Sequence, residues 1–436
     1  MTICVHQRGE EISPAVLREI GHGCAVALAG RNFSGRTHLL RCWTGLDLWE
    51  GDVEALGYRG DALAAYIGPE VYNSISGLAV TVGQELVLHC ANGLGGDRIS
   101  ALAEQLRLPP LFDRNPFTLS GGEQTCLAIT SALALQPGAL AIDCPTEQLD
   151  LDLKMQLLKW MSDGMARTTA TVIADNRLAE YENEFRTVMH LEGASKTPNS
   201  SLRLRFDPIC PSFYPECAVR RPCTLGVDGV MFRYPKGPVV LREVSARLDP
   251  ALYVLDGRNG VGKSTLAKLL CGVLKPNRGR ILAGQTELCP WKRPGDTVAY
   301  HYQNPDLQLF STSVEEEILA GPRALRSAGE ELARRAEDII CAFGLSHVRG
   351  EHPLDLPFVI RKRVALAATL AMGRPWIILD EPTLGQDDAA SEALASIIEK
   401  LLGVGVGIIV ITHSVWFRQR LSARLLRLEN GIIRRT

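Results

Sequence analysis

The chain has 436 residues, 46% apolar and 22% charged, with 47 Lys and Arg against 49 Asp and Glu for a net charge of −2. At roughly 100–200 residues per domain that length implies two to four domains, too apolar for disorder and too neutral for a protein that tracks a nucleic-acid backbone. The longest apolar run, around Val404–Ile411, falls well short of the ~20 residues of a membrane helix, and the N-terminus lacks a signal peptide's apolar core, so neither secretion nor membrane spanning is expected.

In chain order, the first feature is the glycine-bearing loop Gly30-Arg-Asn-Phe-Ser-Gly-Arg-Thr-His38. Leu119-Ser-Gly-Gly-Glu123 follows, 24 residues before Asp143 in Ala-Ile-Asp-Cys-Pro-Thr. Ser195–Leu225 is rich in Pro, Ser and Cys without an apolar period, and its prolines at 198, 208, 211, 215 and 222 prevent a helix or a central strand. The same order then recurs. Ala251–Asp256 reads as a strand, Gly257-Arg-Asn-Gly-Val-Gly-Lys-Ser-Thr265 as a second glycine loop, and Gly262–Leu274 as a helix. Leu356-Pro-Phe-Val-Ile360 again precedes an aspartate, Asp380, by 24 residues. Trp376–Leu379 reads as a strand, Ala389–Leu402 as a helix and Gly407–Ile411 as a strand. The offset between copies is 237 residues at Asp143 and Asp380 but 227 at Arg36 and Lys263, so the first copy carries a shorter loop. This is a duplicated unit, residues 1–195 and 225–436 joined by a linker at 196–224. Strand–helix alternation predicts an α/β fold with a mainly parallel sheet in each copy.

The twelve cysteines, among them Cys24, Cys42, Cys126 and Cys271, mostly lie in apolar stretches, as expected of small hydrophobes in a reducing compartment. Cys210, Cys217 and Cys223 lack a CxxC spacing and a nearby His, so no metal site is expected there.

Chemistry concentrates in the second copy. Gly257–Thr265 fits GxxxxGK[ST] between an apolar strand and a helix, a phosphate loop in which Gly257, Arg258, Asn259, Gly260, Val261 and Gly262 turn backbone N–H groups toward a polyphosphate. Lys263 adds charge, and Ser264 offers a hydroxyl to Mg²⁺, followed by Thr265. Asp380 ends the apolar run Trp376–Leu379, where its carboxylate can hold Mg²⁺ through water, and Glu381 can polarise an attacking water.

With these residues the chain resembles the ATP-binding-cassette (ABC) ATPases, in tandem form, over nearly its whole length outside the linker. The resemblance implies two P-loop NTPase domains, each a mainly parallel sheet plus a helical subdomain bearing the LSGGQ signature, with ATP and Mg²⁺ as cofactors. It makes Gln303 the Q-loop glutamine that touches Mg²⁺ and reports to a membrane partner. Asp387 matches the D-loop aspartate, and His413, 33 residues past Asp380, the switch histidine near the γ-phosphate. Tyr234, 23 residues before Gly257, stands where the family stacks an aromatic on adenine.

Family members work head to tail, one copy's P-loop meeting the other's signature, so two composite sites are implied. The first unites the complete second-copy set with Ser120, Gly121 and Gly122 and with the D-loop aspartate Asp150. Its single departure is Glu123 for Gln, which is expected to be tolerated. The second site is degraded on both faces: Arg36 replaces Lys, Cys144 the catalytic Glu, Asp175 the switch His, and Gly68 falls near the Q-loop glutamine. His6 and Gln7 stand at the adenine-stacking distance, and Pro357, Phe358 and Val359 replace the signature's Ser-Gly-Gly. The expectation is one hydrolytic site, with the second at most a static nucleotide holder.

Tyr302-Gln-Asn-Pro-Asp-Leu-Gln-Leu-Phe310 and Phe232-Arg-Tyr-Pro235 are similar to segments of cobalt/nickel and vitamin energy-coupling-factor ATPases. That resemblance implies an importer ATPase, peripheral on the cytoplasmic face of the inner (plasma) membrane. A Q-loop groove would receive an integral membrane subunit, with a separate substrate-binding membrane component and no nucleic-acid partner. With 23 residues after His413, no added C-terminal regulatory domain is expected. Two alternatives stay open. A tandem translation factor usually carries a charged helical linker and two good signatures; a tandem sugar-importer ATPase usually keeps catalysis in its first half.

Overall fold

The computed structural model describes residues 3–7, 10–12, 20, 24–30, 34–47, 63–89, 96–144, 149, 153–157, 169–175, 185, 187–193, 223–235, 237–258, 260–324, 330–412 and 414–435. His413, Asn259 and Asp150 lie outside the described residues. The chain forms two compact units, Met1–Ser200 with Gly385–Asp388, and Ser201–Leu384 with Ala389–Thr436.

In the first unit the strands are β1 (Ile3–Gln7), β2 (Glu10–Ile12), β3 (Ala25–Gly30), β4 (Ala64–Ile67), β5 (Ala139–Asp143), β6 (Ala170–Asp175) and β7 (Thr187–Gly193). They form one sheet in the order β2-β1-β7-β3-β6-β5-β4. The pairs from β7 through β4 are parallel, and β1 runs antiparallel to both its neighbours. β5 and β6 are buried along their whole length, as a parallel strand covered on both faces must be. Alternate residues serve the two faces. Leu140, Ile142 and Ile173 join the core under the helices α2 (Val82–Leu88), α3 (Gly96–Gln105) and α4 (Gly121–Ala134). Ala139, Ala141 and Val172 pack with Leu39, Leu40 and Trp43 of α1 (Arg36–Trp43).

The second unit holds a six-stranded sheet in the order β13-β14-β15-β10-β16-β17, built from β10 (Leu252–Asp256), β13 (Val298–His301), β14 (Trp376–Asp380), β15 (Gly407–Ile411), β16 (Arg424–Glu429) and β17 (Ile432–Arg435). All neighbours are parallel except β16 and β17. A four-stranded antiparallel sheet, β12-β11-β8-β9, adds β8 (Leu225–Arg233), β9 (Val239–Leu248), β11 (Arg278–Ala283) and β12 (Thr286–Leu288). The strand–helix reading did not anticipate this sheet. Its strands bury one face only, β9 placing Leu241, Val244 and Leu248 inward, so they carry no continuous apolar run to find.

Ile378, Ile409 and Leu426 pack with that sheet and with α5 (Lys263–Leu270). Ile377, Leu379, Ile408 and Val410 face the helices α6 (Val314–Ala324), α7 (Glu330–Ala342), α8 (Phe358–Ala371) and α9 (Asp388–Gly403), with Phe417 of α10 (Val415–Arg420). α5 was expected to reach Leu274 but stops at Leu270. Gly272 takes φ +90°, and a Cβ there would sit 2.2 Å from the Pro290 carbonyl oxygen.

Candidate nucleotide site

In an open parallel sheet, ligands collect beyond the C-terminal ends of the strands. β10 runs into the glycine loop, β13 into Gln303, β14 ends on Asp380 and Glu381, and β15 runs into Thr412. Adjacent strands carry adjacent groups. β13 pairs with β14 so that His301 lies opposite Leu379, which brings Gln303 beside the end of β14.

The loop geometry explains its glycines. Gly257, Gly260 and Gly262 take φ +152°, +76° and +109°. A Cβ on Gly257 would meet the Leu428 carbonyl oxygen at 2.5 Å, and one on Gly262 would meet Val240 at 2.8 Å. Asp256 Oδ1 accepts the Gly257 N–H at 2.8 Å. Lys263, 8% exposed, opens α5 and donates from Nζ to the Gly257 and Arg258 carbonyls at 2.5 and 3.2 Å. Its ammonium is thus folded back over the cradle where phosphate oxygens belong. Tyr234, 40% exposed, rests edge-on against Phe232 at 4.9 Å, with its hydroxyl 3.2 Å from Thr265 Oγ1. The open ring beside the loop fits a stacking role.

Asp380 is 2% exposed and accepts hydrogen bonds from the Ser264 hydroxyl and, at 2.8 Å, from Tyr300 Oη. Burial raises its pKa, while these two donors and the charges of Lys362 and Lys263 pull it back down. Glu381, φ +45°, donates its N–H to the Ile411 carbonyl at 2.8 Å and accepts from Thr412 Oγ1 at 3.1 Å. Burial first, and the Asp380 carboxylate second, raise its pKa, as suits a group that must take up a proton. The donor set of Ser264 hydroxyl, Asp380 carboxylate and Gln303 amide is of the oxygen type that suits a hard divalent cation. Tyr300, Thr412 and Lys362 escaped the sequence reading, since no motif marks them.

In the first unit, Ser120 caps α4. Glu123 Oε2 accepts the Ser120 N–H at 2.7 Å and the Ser120 hydroxyl at 2.8 Å, a capping box in which Glu123 ties down the start of the helix. The N–H groups of Gly121 and Gly122 begin a 14-residue helix, a good anion terminus. The equivalent helix α8 is also 14 residues long but has Pro357 at its N-cap, no side-chain cap and Phe358 as its first residue.

The degraded phosphate loop keeps part of the backbone of its counterpart. Gly35 takes φ +93°, and Cys144 takes φ +53° with its N–H on the Ala174 carbonyl at 2.8 Å, the backbone that Glu381 has. Arg36 Nη2 lies 3.9 Å from Cys144 Sγ. Thr37 Oγ1 donates to Asp143 Oδ2 at 2.5 Å, the counterpart of Ser264 on Asp380. The lysine and the glutamate have no counterpart here, while the hydroxyl and carboxylate that pair at Ser264 and Asp380 do. Asp175 is 5% exposed at the end of β6, and Gly68 lies against the Tyr66 ring.

Among known proteins, the ABC transporter family matches residues 16–147 and 241–384. The chain is 26% identical to an ABC transporter ATP-binding protein of Treponema denticola, over 94% of its own length and 90% of the relative's. It is 25% identical to the HMP/thiamine import ATP-binding protein YkoD of Bacillus subtilis, over 73% and 65%. The archaeal ribosome recycling factor aABCE1, solved with the ribosomal stalk protein aP1, is similar in fold, with a TM-score of 0.62 at 19% identity over 95% of this chain and 85% of that one.

Proposed function

The chain belongs to the ABC transporter family as a tandem ATPase, and from that premise we propose that it energises a membrane importer of the energy-coupling-factor type with a single hydrolytic site. Residues 1–195 and 225–436 are its two cassettes and 196–224 their linker. In the working site, Gly257–Thr265 hold the triphosphate, Tyr234 stacks on adenine, and Ser264, Asp380 and Gln303 hold Mg²⁺. Magnesium, when bound, neutralises charge on the β- and γ-phosphates. Lys263 transfers its ammonium from the loop carbonyls to the γ-phosphate. Glu381 takes a proton from the attacking water, and His413 flanks the γ-phosphate. Ser120, Gly121 and Gly122 are the signature residues and Asp150 the D-loop aspartate that the family's head-to-tail pairing assigns to this site. The second site keeps Thr37 and Asp143 for a cation but lacks a base, so it holds nucleotide without turnover.

The observation that carries this reading is the pairing of losses. Cys144 stands in the backbone position of Glu381, while the cap of α8 is Pro357 where α4 has Ser120. Under the head-to-tail pairing that the family resemblance implies, the degraded loop and the degraded signature would fall together, as would the intact loop and the intact signature. The test is turnover in two variants. Glu381→Gln is expected to reduce ATP hydrolysis by 10²-fold or more, as the loss of a catalytic base does, and Cys144→Ala to leave it within twofold; the opposite pattern overturns the assignment.

An importer partner is supported by Leu307 and Phe310, which are 69% and 77% exposed at the Q-loop. The thiamine-import relative supports a vitamin-type cargo and a peripheral place on the cytoplasmic face of the membrane. No helix among the described residues is long and apolar enough to cross a membrane, which fits an ATPase that borrows its span from a partner. The likeness to the ribosome recycling factor is one of fold alone.

A further inference from the structure

α8 has lost every signature residue that faces nucleotide in the family, yet its next turns are bound to the Q-loop of their own unit. Arg361 Nε lies 2.8 Å from Asp306 Oδ1. Lys362, with 0% exposure, donates from Nζ to the Gln303 carbonyl at 2.6 Å. Gln308 Nε2 donates to the Ala365 carbonyl and to Thr369 Oγ1, both at 2.9 Å. Positions 361, 365 and 369 recur every four residues, so these ties run along one face of the helix. An ammonium buried this completely is costly unless its surroundings need it. The Gln303 carbonyl gives the ammonium an acceptor in that interior. His301, two residues before Gln303, has neither ring nitrogen hydrogen-bonded among the described residues.

We propose that Lys362 is a positioning residue for hydrolysis: its bond to the Gln303 carbonyl sets the backbone from which the Gln303 amide reaches the metal. α8 thus serves as a clamp on its own Q-loop after losing its nucleotide-facing end. This rests on the assignment of Gln303 and Asp380 to Mg²⁺. A group one step behind a metal ligand typically affects metal affinity or rate 10–100-fold.

The test uses the full chain and three variants, Lys362→Met, Lys362→Arg and Glu381→Gln. Lys362→Met is expected to raise the Mg²⁺ concentration for half-maximal ATPase about tenfold and to lower kcat by a similar factor. ATP affinity measured in EDTA should stay within twofold, because the glycine loop is untouched, and Lys362→Arg should restore most of both losses. Unchanged kcat and Mg²⁺ dependence in Lys362→Met overturns the proposal. So does an equal fall in metal-free ATP affinity, which marks a merely structural role. If Lys362→Met does not fold, Lys362→Gln, shorter and uncharged, decides: wild-type Mg²⁺ dependence refutes the clamp, and a shift of threefold or more upholds it. Wild-type turnover in Glu381→Gln would instead bring down the site assignment, whatever the lysine variants do.

Discussion

Asp380 and Glu381 sit side by side, almost wholly buried, and each is less acidic than a carboxyl in water. An acid whose folded-state pKa is raised binds more protons folded than unfolded, so stability falls as pH climbs from the unfolded value of roughly 4.3 through the folded one. Glu381→Gln removes one such acid. In EDTA the variant should match wild type near pH 4.5 and unfold at a progressively higher temperature than wild type toward pH 8, by thermal melts across that range. A constant difference at all pH values would mean that the carboxyl's ionisation is not what burial opposes. A buried acid of this kind lowers stability, a cost expected of a residue with the base role proposed for Glu381. Cys144 places no carboxyl in the corresponding backbone position, and its Sγ lies beside Arg36.

Among the elements, the two 14-residue helices α4 and α8 offer a comparison within one chain. α4 has Ser120, two glycines and Glu123 at its start; α8 has Pro357 and Phe358. Replacing the cap in Ser120→Ala should cost about 1 kcal/mol of stability in the first unit. Ser120→Arg should in addition stop ATP hydrolysis in the full chain, although Lys263 is remote in sequence, while leaving metal-free ATP affinity near wild type. Normal turnover in Ser120→Arg would show that α4 does not serve the working phosphate loop. The buried glutamates at the start of two other helices mark a device the sequence comparison overlooked. Glu85 of α2 accepts from the Ser76 N–H and hydroxyl at 2.7 and 2.6 Å, and Glu317 of α6 from the Phe310 and Ser311 N–H groups at 2.9 and 2.8 Å. Each fixes the loop before its helix, and each unit keeps one.

For the whole molecule, the question is what the ATPase drives. Leu307 and Phe310 lie exposed on a loop whose Phe310 N–H is held by Glu317 and whose Gln308 side chain is held by α8. Leu307→Ser with Phe310→Ser should change stability by no more than about 0.5 kcal/mol, as exposed positions do, and leave basal ATPase within twofold. Copurification of integral membrane partners should be lost. Retention of those partners would move the docking surface elsewhere on the chain.

The sequence by itself determined the duplication, the parallel strands and the phosphate loop with its two carboxylates, because each is written locally: an apolar run buried on both faces, a glycine at a positive φ, a fixed spacing between motifs. Glu381 and Cys144 could be set against each other from the alignment of the two copies alone. Only tertiary structure decided which groups tune them. Tyr300 reaches Asp380 from a neighbouring strand, Thr412 reaches Glu381 from the end of another, and Lys362 reaches the Gln303 carbonyl 59 residues away. Those are contacts between distant segments of a folded sheet and helix, and no local pattern of residues records them. The retained pair of Thr37 and Asp143 lies between these cases: both residues were in plain view, but that they meet is a fact of the strand order.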